Sequence, residues 1–309
     1  MRLDRFLTNQ IKDKSRSRIQ NWIRLKLVLV NGYSKKTGYL LEYNDKITVE
    51  LPAESVQTDI PERIDLDILF EDDQIVVINK PAGLVVHPGI SNKSGTLVNG
   101  LLFHFNSLSD LNGPSRPGII HRLDKYTSGV IIIAKTNFSH SNISNQFQKR
   151  TVRKSYSALT WGNWKEKEGS IVKPIGRNTK DPTCYIVSED GRSSQTNFYV
   201  QKQFRHLALV SFYPKTGRTH QIRVHSTFLG HPIFGDEKYG GGASKAKGFL
   251  PEYTKIYRKK VKELNRHALH ADEIEILHPV KNKNMIFKAP LPIELLNLTE
   301  SLETLYEAY

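Results

Sequence analysis

A chain of 309 residues can form one large domain with a substantial core and a small second one. Its 45 Lys and Arg against 31 Asp and Glu leave a formal charge of +14, which suits a polyanionic partner because phosphate contacts release counterions and steer association. No run of about 18 apolar residues and no apolar leader is present, and the single cysteine, Cys184, excludes an internal disulfide framework and a multi-cysteine zinc site. The expectation is a soluble, cytoplasmic protein with no membrane partner.

Leu3, Phe6, Leu7 and Ile11 recur at helical spacing, and a second helix is predicted from a cap near Ser15 or Ser17, with Ile19, Trp22 and Ile23 inward. Leu27-Val28-Leu29-Val30 reads as a strand, Asn31-Gly32 as a tight turn and Lys46 to Val49 as a closing strand. Lys12, Lys14, Arg16, Arg18, Arg24 and Lys26 crowd the second helix, with Lys35 and Lys36 at the turn. Such a run is either a solvated face or a nucleic-acid surface. A unit this small buries only about 60% of its unfolded surface and is expected to be marginally stable. Residues 51–65, with Pro52 and Pro61, read as a linker.

From Leu66 the pattern changes. Gln74 to Ile78 reads as a buried strand between two turns, and Thr96 as the cap of a helix carrying Leu97, Leu101 and Leu102. Pro117 to Ile120 and Val130 to Ala134 read as short buried strands. Between them, His121, Arg122, Asp124 and Lys125 crowd together before a Thr127-Ser128-Gly129 turn signal. A carboxylate between two cations at a sheet edge is favoured in its ionised form. Taken by itself, Asp124 reads as a surface residue closing a hairpin.

Asn145 to Lys149 reads as helical, and Val152 to Leu159 alternates like a strand, with Lys154, Tyr156 and Ala158 on one face. Tyr156 is either an ordinary strand aromatic or a site residue. Gly176 to Thr196 is poor in apolar residues and reads as a long loop. In Thr216 to His225, Thr219 reads as a helix cap and Gly230 as the stop of a helix of about three turns. Its N-terminus near Arg218 suits an anion, and Ile222, Ser226 and Leu229 share a side bordered by Arg223. Zinc binding by His220, His225, His231 and Asp236 fails on spacing, so no metal is expected. Lys245 to Arg266 reads as an insertion or an extended helix.

Four runs resemble the RluA-type pseudouridine synthases, which isomerise uridine in RNA, within their ribosomal large-subunit (RluD-like) branch. HRLDKYTSG at 121–129 is similar to the family signature, joined by DDQIVVINKPAGLVVHPG at 72–89, GRTHQIRVH with HPIFGD at 217–236, and RHALHA at 266–271. The resemblance implies that Asp124 is the catalytic carboxylate, that Arg223 pairs with it and that Tyr156, in the family's K-x-Y pattern with Lys154, lines the site against the base. It gives Arg122 the space vacated by the flipped base. His121, Lys154, Arg218 and His220 join Arg122 as expected substrate contacts. Relatives carry basic residues early in the 176–196 segment, where this chain has Pro182 and Cys184, so its grip on RNA there should differ.

The N-terminal order of helix, basic helix, strand, Asn-Gly and strand resembles the RNA-binding module named after ribosomal protein S-four. That likeness gives Lys14, Arg16, Arg18, Arg24 and Lys26 to its recognition face. The implied fold is α+β: a small helical/β module over 1–58, then a large mixed, mostly antiparallel sheet domain over 66–309 with a central cleft. The implied function is uridine-to-pseudouridine isomerisation in large-subunit ribosomal RNA by a monomer without cofactor or metal. Transfer RNA is the alternative substrate. A non-catalytic RNA-binding assembly factor is the alternative class, against which the intact Asp124, Tyr156 and Arg223 set argues.

Overall fold

The computed structural model describes residues 1–11, 16–50, 60–89, 92–113 and 115–307, without the side chains of residues 17, 18 and 305–307. The chain divides into two compact units, Met1–Gln57 and Thr58–Tyr309.

In the first unit, α1 (Leu3–Gln10) and α2 (Arg16–Arg24) precede β1 (Val28–Val30), β2 (Tyr33–Ser34) and β3 (Ile47–Val49). The strands form an antiparallel sheet in the order β2-β1-β3. Leu3, Leu7, Ile19, Trp22, Ile23, Val28 and Val30 make its core. Asn31 and Gly32 both have positive φ, at 52° and 80°, as the tightest hairpin turns require. Asp4 is fully buried and accepts from Arg2, Arg16 and Gln20. Burial pushes its carboxyl up, but those donors outweigh it and hold Asp4 well below the usual carboxylate range. Arg16, Arg24 and Lys26 are exposed. Lys12, Lys14 and the proposed cap Ser15 lie outside the described residues, as do the side chains of Ser17 and Arg18.

The second unit begins with β4 (Ile68–Glu71), β5 (Ile75–Lys80), α3 (Leu97–His104), β6 (Ser128–Ala134), α4 (Asn137–Lys149) and β7 (Arg153–Trp161). Then follow β8 (Glu168–Val172), β9 (Ile175–Arg177), β10 (Tyr185–Val187), β11 (Gln195–Gln203), β12 (Leu207–Pro214) and α5 (Gln221–Phe228). The chain closes with α6 (Pro251–Leu264), β13 (Leu269–Leu277), β14 (Asn284–Lys288) and α7 (Ile293–Glu307). Nine strands form one sheet in the order β4-β5-β6-β13-β7-β12-β11-β8, with β14 beside β13. Every pairing is antiparallel except β6 with β13. That parallel contact is very close: a Cβ on Gly129 would stand 2.2 Å from the Ala271 carbonyl oxygen, so glycine is required there. The fold is α+β.

One core gathers Trp161, Phe212 and Phe234, the other Ile75, Leu101 and Ile132, and Tyr156 packs against both. Asn99 accepts from the backbone and hydroxyl of Thr96 at the start of α3.

Four local expectations need correction. Pro117 to Ile120 is not a strand: Gly118 turns the chain at φ 69°, leaving a single bridge from Ile119 to Ile133. The helix expected at 145–149 begins at Asn137, where the Thr136 hydroxyl accepts from the Ser139 amide; its many Ser and Asn residues mask the apolar period. The 176–196 stretch is not a bare loop, since β9 and β10 pair as a hairpin. Finally, α5 has eight residues and its cap is His220 in a left-handed conformation rather than Thr219, with Leu229 at the far end 39% exposed.

Candidate active site

The loop carrying Asp124 is fastened from beneath. Lys80, with no exposed surface, donates from Nζ to the carbonyls of Pro81, Leu84 and Lys125 at 2.7, 2.9 and 3.2 Å. Burial pulls its ammonium down to about 7, while the charge of Asp124 works the other way. Three carbonyl acceptors match the three protons of an ammonium, so the geometry favours the charged form. Arg266 donates to the Tyr126 carbonyl, and the Thr127 hydroxyl meets His267 Nε2 at 2.8 Å. The loop backbone is thus set by buried side chains from distant parts of the chain.

Arg223 approaches from the first turn of α5. Its Nη1 donates to Asp124 Oδ2 at 3.0 Å, while Nε and Nη2 donate to the two oxygens of Asp236 at 2.7 and 2.8 Å. The guanidinium carbon lies 4.7 Å from the centre of the Tyr239 ring. Asp236 is aimed by Gly235, where a Cβ would meet the Arg266 carbonyl oxygen at 2.1 Å. One carboxylate therefore grips the fork bidentately and leaves a single nitrogen for Asp124.

His220 Nε2 lies 3.8 Å from Asp124 Oδ2, in electrostatic range but beyond a hydrogen bond. Its Nδ1 is 2.7 Å from the Tyr239 hydroxyl, which also accepts from the Tyr185 amide. Burial lowers the pKa of His220, and that of His267 to about 4, so both imidazoles are neutral at pH 7. Assigning the Tyr239 hydroxyl as donor to Nδ1, since it already accepts from Tyr185, puts the proton of His220 on Nε2, toward the carboxylate.

Burial pushes the Asp124 carboxyl up, but His220, Arg223 and His267 outweigh it and hold it below the ordinary range. With the imidazoles neutral, Arg223 is the permanent charge behind that effect. Burial, then the charges of Asp124 and Asp272, push the Tyr156 phenol well above its usual range, so it is protonated at neutral pH. Among the described residues its hydroxyl has no hydrogen-bond partner. Burial brings Lys154 down to about 8, with its Nζ 3.5 Å from the Thr216 carbonyl.

Asp124, Arg122, Lys154, Tyr156, Arg218, His220 and Arg223 line a common cavity of about 140 Å³. At about 30 Å³ per water, it is sized for a small planar ring. Arg122 is exposed at its mouth, and Arg218 donates to the Ser193 carbonyl. His121 does not line the cavity. Its Nε2 accepts from the Ile132 amide and its ring packs on Phe147, so this expected substrate contact is instead tied into the fold.

Residues 74–227 match the family model for RNA pseudouridylate synthase, and residues 1–47 that for the S4 domain. The chain is 39% identical to the uncharacterized RNA pseudouridine synthase YlyB of Bacillus subtilis, over 97% of this chain and 94% of that protein. It is 36% identical to ribosomal large subunit pseudouridine synthase D of Pasteurella multocida, over its whole length and 93% of that protein. The chain belongs to the RNA pseudouridine synthases.

The fold agrees with solved relatives. Human RNA pseudouridylate synthase domain containing 4 superposes with a TM-score of 0.53 at 26% identity, over 75% of the synthase and 92% of that chain. Human domain containing 1 gives 0.56 at 24% identity, over 77% and 95%.

The residue order alone gives no role to Asp236, Tyr239, Lys80 or His267. Lys80 and Asp236 stand inside recognised runs, but only the fold shows that one fastens the Asp124 loop and the other fixes Arg223. No group of three or more His, Cys, Asp or Glu among the described residues of the synthase is arranged to hold a metal.

Proposed function

We propose that this pseudouridine synthase acts on uridines of large-subunit ribosomal RNA, with Asp124 as its catalytic carboxylate. The observation that carries the reading is Asp124 in the wall of a ring-sized cavity, 20% exposed and paired with a buried arginine at 3.0 Å. Its side chain is open enough to meet a ribose or base, and its pairing with Arg223 keeps it charged against the cost of burial.

The reaction breaks the bond from uracil N1 to ribose C1′, turns the base and joins C5 to C1′. A proton leaves C5 and one is gained at N1, so atoms and electrons balance with no cofactor consumed. Asp124 serves at the sugar or the base, and Arg223 keeps it ionised. Tyr156 packs against the uracil as a neutral phenol, a form poorly suited to take the C5 proton. Extruding the uridine costs a few kcal/mol, and the exposed guanidinium of Arg122 suits the emptied place in the stack. Lys154, Arg218 and His220 line the space around the base.

Residues 1–58 act as the RNA-binding module and residues 66–309 as the catalytic domain. The ribosomal substrate is supported by whole-length similarity to synthases named for the large subunit, such as that of Vibrio cholerae at 37% identity. That substrate puts the enzyme in the cytoplasm. One chain supplies every group around Asp124, consistent with action as a monomer. The test is to map pseudouridine in ribosomal and transfer RNA from cells with and without the gene. Loss at large-subunit positions is expected; loss confined to transfer RNA overturns the substrate.

A further inference from the structure

A second cavity, of about 880 Å³, shares Arg122, Asp124, His220 and Arg223 with the first and extends to α6. Its lining is rich in cations that the protein itself leaves unmatched. Among the described residues, Arg122, Lys125, Arg258 and Lys262 form no ion pair with a carboxylate. The acids nearby are engaged: Asp124 and Asp236 bind Arg223, and Glu237 accepts from the Ala243 amide.

Helix α6 buries Tyr253, Tyr257 and Val261 and exposes Arg258 and Lys262. These two stand four residues apart, about 6 Å along the axis. Like charges at that spacing weaken a helix rather than help it, so the pair has no stabilising role within α6. The same cavity wall carries Tyr126, a large aromatic left 44% exposed. Its carbonyl is held by Arg266, and the Lys125 ammonium lies 5.3 Å from its ring centre. Exposed aromatics among cations form the usual platform for single-stranded nucleic acid: bases stack on the ring and phosphates meet the charges.

We propose that this cavity is a second nucleotide subsite, holding the nucleotide beside the target uridine, with Tyr126 stacked on its base and Arg258 and Lys262 on its phosphates. This deepens the proposed function and rests on it for the identity of the RNA. The subsite holds the neighbour of the target by stacking, which tolerates any base, and carries the strand from the ring-sized cavity onto α6.

The test measures binding of a fluorescent oligouridylate to the full-length chain at several salt concentrations. Tyr126→Ala is expected to weaken binding about 5- to 150-fold, the range for one lost base stack. Tyr126→Phe, which keeps the ring, is expected to bind like the parent. The double variant Arg258→Ala with Lys262→Ala should lower the slope of log affinity against log salt by about 1.4, two contacts at about 0.7 each on a single strand. Unchanged affinity and slope overturn the subsite, and a Tyr126→Phe as weak as Tyr126→Ala overturns the stacking role. The altered side chains are exposed, so melting curves should match the parent's. Because the readout is binding, weakened variants of a protein that forms no pseudouridine in ribosomal RNA uphold the subsite and sink the substrate reading. Ribosomal modification with a parental KM in all variants does the reverse.

Discussion

Arg223 gives one nitrogen to Asp124 and two to Asp236, which makes Asp236 the residue that decides where the charge beside Asp124 sits. Asp236→Asn should leave Arg223 in place but free its fork to tilt. Small misplacement of a catalytic pair costs about a hundredfold in rate. The expected outcome is a fall of that order in single-turnover rate with little change in RNA affinity. A parental rate shows that Asp124 needs no such clamp.

Arg223→Ala removes the partner of two carboxylates at once and should cost about 3–5 kcal/mol of stability as well as activity, as broken buried ion pairs do. Arg223→Lys should recover part of each, lacking the fork that spans both acids. Denaturant melts with rate measurements check this. A stable, active Arg223→Ala contradicts the pairing.

The pH dependence has two limbs. Asp124 is held below the ordinary carboxylate range, so its charge persists from neutral pH down to below about 4 and activity should fall only there. Burial sets Lys154 at about 8, below the ordinary ammonium range, so its charge is present below that pH and lost above it. KM for RNA should therefore rise above pH 8 in the parent and stay flat in Lys154→Met. Comparing the two cancels any titration of the RNA. Parallel profiles exclude Lys154 from substrate contact.

Lys80 is expected to be a stability residue with a catalytic consequence. Lys80→Met strands the carbonyls of Pro81, Leu84 and Lys125, and each buried orphan costs about 1–3 kcal/mol. A loss of about 3 kcal/mol or more, with reduced activity in the protein that remains folded, is expected from calorimetry and rate assays. Unchanged melting refutes the fastening.

Much of this site was readable in the residue order. The run from His121 to Gly129 and the Gly217 to His225 run lie far apart in sequence, yet both reach the same cavity. The exception within them is His121, whose type suggested substrate contact but whose Nε2 is taken by the Ile132 amide. The cap of α5 is likewise not legible from residue type: Thr219 has the better capping side chain, but the left-handed His220 is held by Tyr239, nineteen residues on. Such long-range bonds leave no periodic trace. The same holds for Asp236, whose neighbours were recognised while its partner was visible only in three dimensions. The 176–196 hairpin was hidden because its short strands bury few apolar side chains.

The N-terminal unit is expected to tether RNA without entering the chemistry. It carries eleven Lys and Arg against six Asp and Glu through residue 58. Deleting residues 1–57 should raise KM and make the salt dependence shallower by about 0.7–0.9 per lost phosphate contact, with the saturating single-turnover rate kept. A collapse of that rate in a folded truncation gives the unit a part in the active site.

The central claim is that Asp124 carries the reaction. Asp124→Asn keeps the shape of the side chain and removes its charge, leaving Arg223 clamped by Asp236. The direct measurement is pseudouridine formed in large-subunit ribosomal RNA by excess Asp124→Asn enzyme in a single turnover, with RNA binding measured on the same preparation. The expected result is near-parental RNA affinity and no pseudouridine. Turnover at a rate comparable to the parent's contradicts the claim.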